Sequence, residues 1–168
     1  SVYMQTIIKN NQVIDDHWVL LDTEAQLDEA LNTEYAIVPL TLWQTHAQAL
    51  QGRTQLGIWL EAGQAIEDIS DDLAHFSVIA LNFPGCNDGR HFSSARLLRE
   101  RYAYRGEVRA IGDVLRDQLF FMQRCGFDAY VIRADRCPVD ALKSLTELSV
   151  SYQAAYDQSL PLYRRRSA

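Results

Sequence analysis

The sequence has 168 residues and a mass of 19.2 kDa, a length that suits one domain and is short for two. With 48% hydrophobic and 23% charged residues, it can fill a buried core, which argues against general disorder. No apolar run is long enough to cross a membrane, and a net charge of −6 opposes binding of a nucleic acid. We therefore expect a single soluble, cytoplasmic domain over residues 1–168.

Two strands come first in the chain, Thr6–Lys9 and Gln12–Leu21, joined by the turn-forming Asn10-Asn11. Short apolar strands then alternate with amphipathic helices, the strands beginning near residues 36, 56, 78, 108 and 128. Because parallel strands need crossover helices, this alternation predicts an α/β fold. Its sheet would be mostly parallel, with about five strands and an N-terminal β-hairpin, in an open sandwich or an incomplete barrel.

The second half of the chain predicts three helices and a tail. A helix over about 93–104 follows the third apolar strand, and Asp113 is a suitable N-cap for a helix that Gly126 would end. Pro138 fits the first turn of a last helix, although a strand over 148–153 is the alternative. Residues 160–168, which include Arg164-Arg165-Arg166, predict a flexible basic tail.

The charge is distributed unevenly. Residues 1–87 hold 2 basic and 12 acidic side chains, whereas residues 88–136 hold 10 arginines against 7 acids. A guanidinium group matches a carboxylate, sulfate or phosphate with two parallel hydrogen bonds. These arginines therefore indicate either ion pairs with the acidic half of the same domain or a site for an anionic ligand.

Three loops are expected at the carboxyl ends of the strands, where parallel α/β proteins bind their ligands. They are residues 82–94, Gly112-Asp113 and residues 133–137. The first is the longest, and it contains Cys86, which would react only if a nearby arginine or a helix terminus lowered its pKa. Since the three strands are consecutive in sequence, the loops are expected to converge on one rim.

The first loop predicts a small-anion site. It leads to Ser93 and Ser94 at the expected helix start, where free backbone N–H groups and the helix dipole favour an anion. Arg90 precedes that start, and Arg96 lies one turn into the helix. The alternative is purely structural: the serines would cap the helix, and Arg90 would pair with Asp88 or Asp113.

A second polar cluster comprises Asp113, Arg116, Asp117 and Gln118. If a helix begins at Asp113, then Asp117 lies one turn further on the same face. Paired carboxylates can transfer protons or hold a divalent cation, but Arg116 beside them is better interpreted as a neutralising partner. We therefore predict no metal site, and we expect Trp18, Trp43 and Trp59 in the core.

Several motifs are absent from the sequence. It contains no G-x-G-x-x-G, no G-x-x-x-x-G-K-[ST], no C-x-x-C and no G-x-S-x-G. A dinucleotide enzyme, a nucleoside triphosphatase, an iron–sulfur carrier and a serine hydrolase each lose their main support. Flavin binding stays open, because some parallel sheets bind flavin through variable loops.

The segment from Asp88 to Asp128 carries a family resemblance. Its motifs are Asp88-Gly89-Arg90, Ser94-Ala95-Arg96-Leu97-Leu98-Arg99, Gly106-Glu107-Val108-Arg109-Ala110, Gly112-Asp113-Val114-Leu115-Arg116-Asp117-Gln118-Leu119 and Arg124-Cys125-Gly126-Phe127-Asp128. They resemble an uncharacterised bacterial family, domain of unknown function 934. Its members are described as probable oxidoreductases of sulfite reduction, because their genes accompany assimilatory sulfate- and sulfite-reduction genes.

The resemblance implies a role in sulfur metabolism, and it supplies sulfite or sulfate as a small anion for the rim. We expect an accessory protein of assimilatory sulfite reduction that binds an anion or a pathway enzyme, with no catalytic residue or cofactor assigned. The alternative is an oxidoreductase with a dissociable flavin or nicotinamide. The expected rim consists of Asp88, Arg90, Ser93, Ser94, Arg96, Asp113, Arg116, Asp117 and Gln118.

Overall fold

The structure is a computed structural model that describes residues 5–85, 88–132 and Leu142. The described strands are β1 Gln5–Lys9, β2 Gln12–Asp16, β3 Val19–Leu20, β4 Ala36–Pro39, β5 Leu56–Leu60, β6 Val78–Phe83, β7 Glu107–Gly112 and β8 Ala129–Tyr130. The described α-helices are α1 Leu27–Leu31, α2 Leu40–Leu50, α3 Arg90–Arg96 and α4 Leu119–Cys125. Short 3-10 helices cover Ile66–Ile69, Leu73–His75 and Arg116–Gln118, and α3 continues into a wider turn over Leu97–Arg101.

All eight described strands belong to one sheet, in the order β2-β1-β8-β7-β6-β5-β4-β3. The strands from β3 to β8 are parallel to one another, and β1 is antiparallel to both β2 and β8. The predicted α/β class and the N-terminal hairpin are confirmed. The strand count is wrong, because the hairpin joins the main sheet and the predicted strand over 12–21 is two strands.

The sheet is strongly curled. Its edge strands β2 and β3 are separated in the chain by only His17 and Trp18, a link that spans at most about 10 Å. In a flat sheet with strands about 4.8 Å apart, the same two edges would be about 34 Å apart. Asp16 on β2 also contacts Arg109 on β7, three strands away. The sheet therefore forms an open half-barrel, which agrees with the predicted incomplete barrel and not with the open sandwich.

The two faces of the half-barrel differ in what covers them. On the outer face, strand residues such as Ile58, Leu81 and Val108 pack against helix residues such as Leu50 and Met122. The inner face carries a separate, smaller apolar cluster of Ile37, Trp59, Val78, Ala80 and Ile111. Because successive side chains of a strand point to opposite faces, one strand supplies residues to both clusters. The helices thus cover the outer face of the sheet. None of the described helices is long and apolar enough to span a membrane.

Candidate functional site

Two of the three expected loops leave the sheet side by side. Strands β6 and β7 pair in register as far as Phe83 and Gly112, and the backbone N–H of Asp113 donates to the carbonyl of Phe83 at 2.6 Å. Gly112 has a φ of 86°, which turns the chain against the end of β6. The third expected loop, residues 133–137, and Cys86 lie outside the described residues.

The predicted helix start at Ser93 and Ser94 is wrong. Helix α3 begins at Arg90, with Gly89 as its N-cap, so both serines lie inside the helix instead of at its N-terminus. The loop ends at Asp88-Gly89 and not at Ser93, where the helix start was predicted. Ser93 is exposed and Ser94 is buried.

Arg90 forms an exposed ion pair with Asp88, as the structural alternative expected. Its Nε lies 3.1 Å from Asp88 Oδ1, and its Nη2 lies 2.6 Å from Oδ2. Hydrogen bonds from the Arg90 side chain and backbone lower the pKa of Asp88 to about 2. The guanidinium fork that was expected to hold a small anion therefore holds a carboxylate of the same chain.

His91 lies buried beside this pair and joins α3 to the end of β5. Its Nε2 is 2.8 Å from the carbonyl oxygen of Glu61, so it donates, and its Nδ1 accepts from the Ser94 hydroxyl at 3.0 Å. Burial lowers the pKa of His91 below its usual value of 6.5. The neutral ring thus has a structural role in fixing the first turn of α3 against Glu61.

We expect His91 to make the stability of the protein pH-dependent. Because its pKa is lowered in the folded state, the unfolded chain takes up a proton first as the pH falls below 6.5. The stability contributed by neutral His91 is therefore present above pH 6.5, and it is lost as the pH falls through the pKa of His91 in the folded protein. Urea denaturation at about pH 8 and pH 5.5 should show a smaller loss for His91→Gln than for the wild type. An equal loss in both proteins would contradict this assignment.

The segment after β7 also differs from its prediction. Leu115 is extended, with φ −94° and ψ 138°, so no helix runs on from Asp113. A 3-10 turn over Arg116–Gln118 precedes α4, whose N-cap is Gln118. Asp113 is therefore not the helix cap, and it does not share a helical face with Asp117. The apolar Val114, which favoured a helix in the sequence, is buried in the connection between β7 and the 3-10 turn.

The remaining rim residues lie on the surface formed by α3 and the segment from Asp113 to the end of α4. Arg96, Arg116 and Asp117 are exposed, whereas Asp113 and Gln118 are partly buried. A hydrogen bond with the Cys125 thiol raises the pKa of Arg96 above its usual value. Among these groups stands an aromatic pair that the sequence analysis did not single out. Phe121 is 46% exposed, and its ring centroid lies 4.9 Å from that of Phe92. We call this area, defined by Arg90, Phe92, Arg96, Arg116 and Phe121, the α3/α4 surface.

A second candidate site lies inside the half-barrel and was also missed. It is a cavity of about 890 Å³. Its lining residues are Gln5, Asp16, His17, Trp18, Val19, Leu20, Ile37, Trp59, Glu61, Asn82, Arg109, Ile111, Gly112 and Val131. Trp43 and Trp59 lie in the core as predicted, but Trp59 also lines this cavity, together with the partly buried Trp18. The sequence pattern that could have predicted this cavity is the alternation of side chains along the strands. On the inner face Trp59 is followed by Glu61, and Ala80 is followed by Asn82, so each apolar residue leads to a polar one.

The polar groups of the cavity form two sets. Near the carboxyl ends of the strands, Asn82 Nδ2 donates to Glu61 Oε2 at 3.3 Å. Deeper inside, Arg109 donates through Nη1 and Nη2 to Asp16 at 2.8 and 3.0 Å and through Nε to Glu107 at 2.6 Å. Lys9 Nζ lies 2.9 Å from the other oxygen of Glu107. Within residues 5–85 and 88–132, no group of three or more His, Cys, Asp or Glu side chains could hold a metal ion.

Comparison with known proteins identifies one family. Its model, described as "Bacterial protein of unknown function (DUF934)", matches residues 57–163, which is more than half of the chain. The match begins in β5 and includes both Glu61 and the α3/α4 surface. No curated protein matches the chain in sequence. The chain therefore belongs to this family of bacterial proteins of unknown function.

Proposed function

We propose that this protein is an accessory protein of assimilatory sulfite reduction and that it binds an enzyme of that pathway through the α3/α4 surface. The observation that carries the proposal is the exposed Phe121 ring of α4, which packs edge-on against Phe92 of α3, the helix that also carries the exposed Arg90 and Arg96. Aromatic residues and arginine are enriched in the centres of protein–protein interfaces, where they contribute most of the binding energy. The pathway itself rests on the resemblance of residues 88–128.

The contacts of the arginines favour a protein partner over a small anion. A sulfite ion at Arg90 would have to displace the Asp88 carboxylate, which already makes two hydrogen bonds with the guanidinium group. Arg96 is engaged by Cys125, and Arg116 also has an interaction partner. An acidic protein surface can approach exposed guanidinium groups without breaking these contacts. Residues 88–132 hold 8 arginines against 6 acids, so this part of an acidic protein suits a negatively charged partner.

Binding to the assimilatory sulfite reductase of the host bacterium tests the proposal. We expect binding at low ionic strength that weakens as salt is added, because exposed charges are screened. Phe121→Ala should raise the dissociation constant about tenfold or more, in the range of an interface anchor. The double variant Arg90→Ala with Arg96→Ala should weaken the salt dependence.

Two matched controls separate the α3/α4 surface from a general effect of substitution. Leu31 on α1 has the same 46% exposure as Phe121, so Leu31→Ala should leave binding unchanged. Arg105 lies in the loop before β7, at the opposite end of the strands, and Arg105→Ala should do the same. Equal binding by Phe121→Ala and Leu31→Ala, or no binding of the wild type at low salt, would exclude this surface as the docking site.

The oxidoreductase alternative is favoured by one observation, the inner cavity. Its volume of about 890 Å³ and its two indole rings would suit a flavin or nicotinamide ring. Absorbance of the purified protein and titration with flavin mononucleotide test this alternative. Stoichiometric binding of flavin would favour a redox function over the accessory function.

A further inference from the structure

The inner cavity is a separate site from the α3/α4 surface, because it lies on the other face of the sheet. Glu61, Asn82 and Gly112, at the carboxyl ends of β5, β6 and β7, contribute to its lining. In parallel α/β folds, ligands bind at these strand ends. A volume of about 890 Å³ is within the range of about 300–1,000 Å³ found for small-molecule sites.

The charges in the cavity favour a positively charged ligand. Arg109 and Lys9 neutralise Asp16 and Glu107 in a network of close contacts. The charge of Glu61 is not neutralised in this way, since no cationic side chain of the described residues forms an ion pair with it. Among the residues that the structure describes, the lining and this network together carry one net negative charge, on Glu61 at the carboxyl ends of the strands. A carboxylate that is partly shielded from water attracts a cation and repels an anion such as sulfite.

Acceptors predominate among the hydrogen-bonding side chains at the same end of the cavity. Asn82 uses one of its two amide N–H groups on Glu61, and its amide oxygen, which is an acceptor, lies beside Gly112. The Trp59 indole N–H is already bonded to the carbonyl of Leu21 at 2.7 Å. A ligand that supplies N–H donors therefore suits the Glu61 carboxylate and the Asn82 amide oxygen.

Two indole rings line the cavity in fixed orientations, and Trp59 is the one near this carboxylate, because it precedes Glu61 by two residues and points to the same face. Trp59 is held by its bond to Leu21, and Trp18 packs edge-to-face on Tyr35 with centroids 5.5 Å apart. Indole faces attract cations and also cover flat apolar groups. We propose that this cavity binds a small organic cation with a flat apolar body, its N–H groups on Glu61 and Asn82 and its body against Trp59.

Three probes of nearly equal shape test the charge preference. Benzamidinium is a flat cation with two N–H edges, benzamide is its neutral counterpart, and benzoate is its anionic one. By calorimetry, we expect benzamidinium to bind with a dissociation constant of about 1 mM or below, and benzamide to bind at least about tenfold more weakly. Benzoate should not bind at about 10 mM. Benzoate binding as tight as benzamidinium, or no benzamidinium binding at all, would overturn the proposal.

The residues are tested by charge-neutral variants of similar shape. Glu61→Gln keeps the contact with Asn82 and should weaken benzamidinium binding about tenfold, with little effect on benzamide. Glu67→Gln, on the exposed 3-10 turn of the outer layer, is the matched control and should bind as the wild type does. Circular dichroism and thermal melting confirm that both variants fold. If a folded Glu61→Gln variant bound benzamidinium as tightly as the wild type, Glu61 would not be the recognition group.

Discussion

Replacing Arg109 by methionine is expected to lower the free energy of unfolding by about 3–5 kcal/mol. Arg109 is 2% exposed, and its fork holds two buried carboxylates, Asp16 at 8% and Glu107 at 5% exposure. Burial alone would lower the pKa of Arg109, but the charges of Glu107 and Asp16 outweigh burial and raise it above its usual value. Methionine fills a similar volume, so the main loss is electrostatic: two buried carboxylates would share Lys9 as their one remaining cation in the network.

Urea denaturation of a short series of variants tests this expectation. Arg109→Lys keeps the charge but cannot form the fork with Asp16 and the bond to Glu107 together, so its loss should be intermediate. Arg105→Met, at an exposed position two residues before β7, is the matched control and should change stability by less than about 0.5 kcal/mol. A loss for Arg109→Met no larger than that of Arg105→Met would show that the buried network does not hold the half-barrel together.

The same network explains what the sequence could and could not reveal about the arginines. Their abundance between residues 88 and 136 indicated either internal ion pairs or an anion site. Arg109 pairs with buried carboxylates inside the half-barrel, and Arg99 donates to the carbonyls of Gly126, Tyr104 and Gly106. Apart from Glu107, these partners are distant in sequence or are backbone atoms. No local pattern separates such arginines from those on the α3/α4 surface.

The fold was more accessible to prediction than the site, for physical reasons. Strands β4 to β7 are apolar runs flanked by helices, and such runs signal their structure locally. The curl of the sheet depends instead on residues 12–21, which read as one strand but pair with β1 at one end and β4 at the other. Because the inner cavity exists only through that long-range pairing, no local pattern by itself marks Trp59 or Glu61 as part of its lining.

The turn at Gly112 offers the second large expected effect, because it fixes the loop after β7 against the end of β6. Gly112→Ala should lower the free energy of unfolding by about 2–4 kcal/mol. The added Cβ would lie 2.5 Å from the carbonyl oxygen of Phe83 and would also clash with the Asn82 side chain. Since the Phe83 oxygen is backbone within a paired strand, it cannot move away without breaking the β6–β7 pairing.

Two further substitutions distinguish the cause of this loss in the same urea experiment. Gly52→Ala places a Cβ with nothing within 4 Å, so its effect should lie between no change and a gain of about 1 kcal/mol. Asparagine tolerates positive φ better than alanine does, but its Cβ meets the same oxygen. We therefore expect Gly112→Asn to be about as destabilising as Gly112→Ala. A much milder effect of asparagine would mean that backbone conformation, and not the contact with Phe83, is what requires glycine at the end of β7.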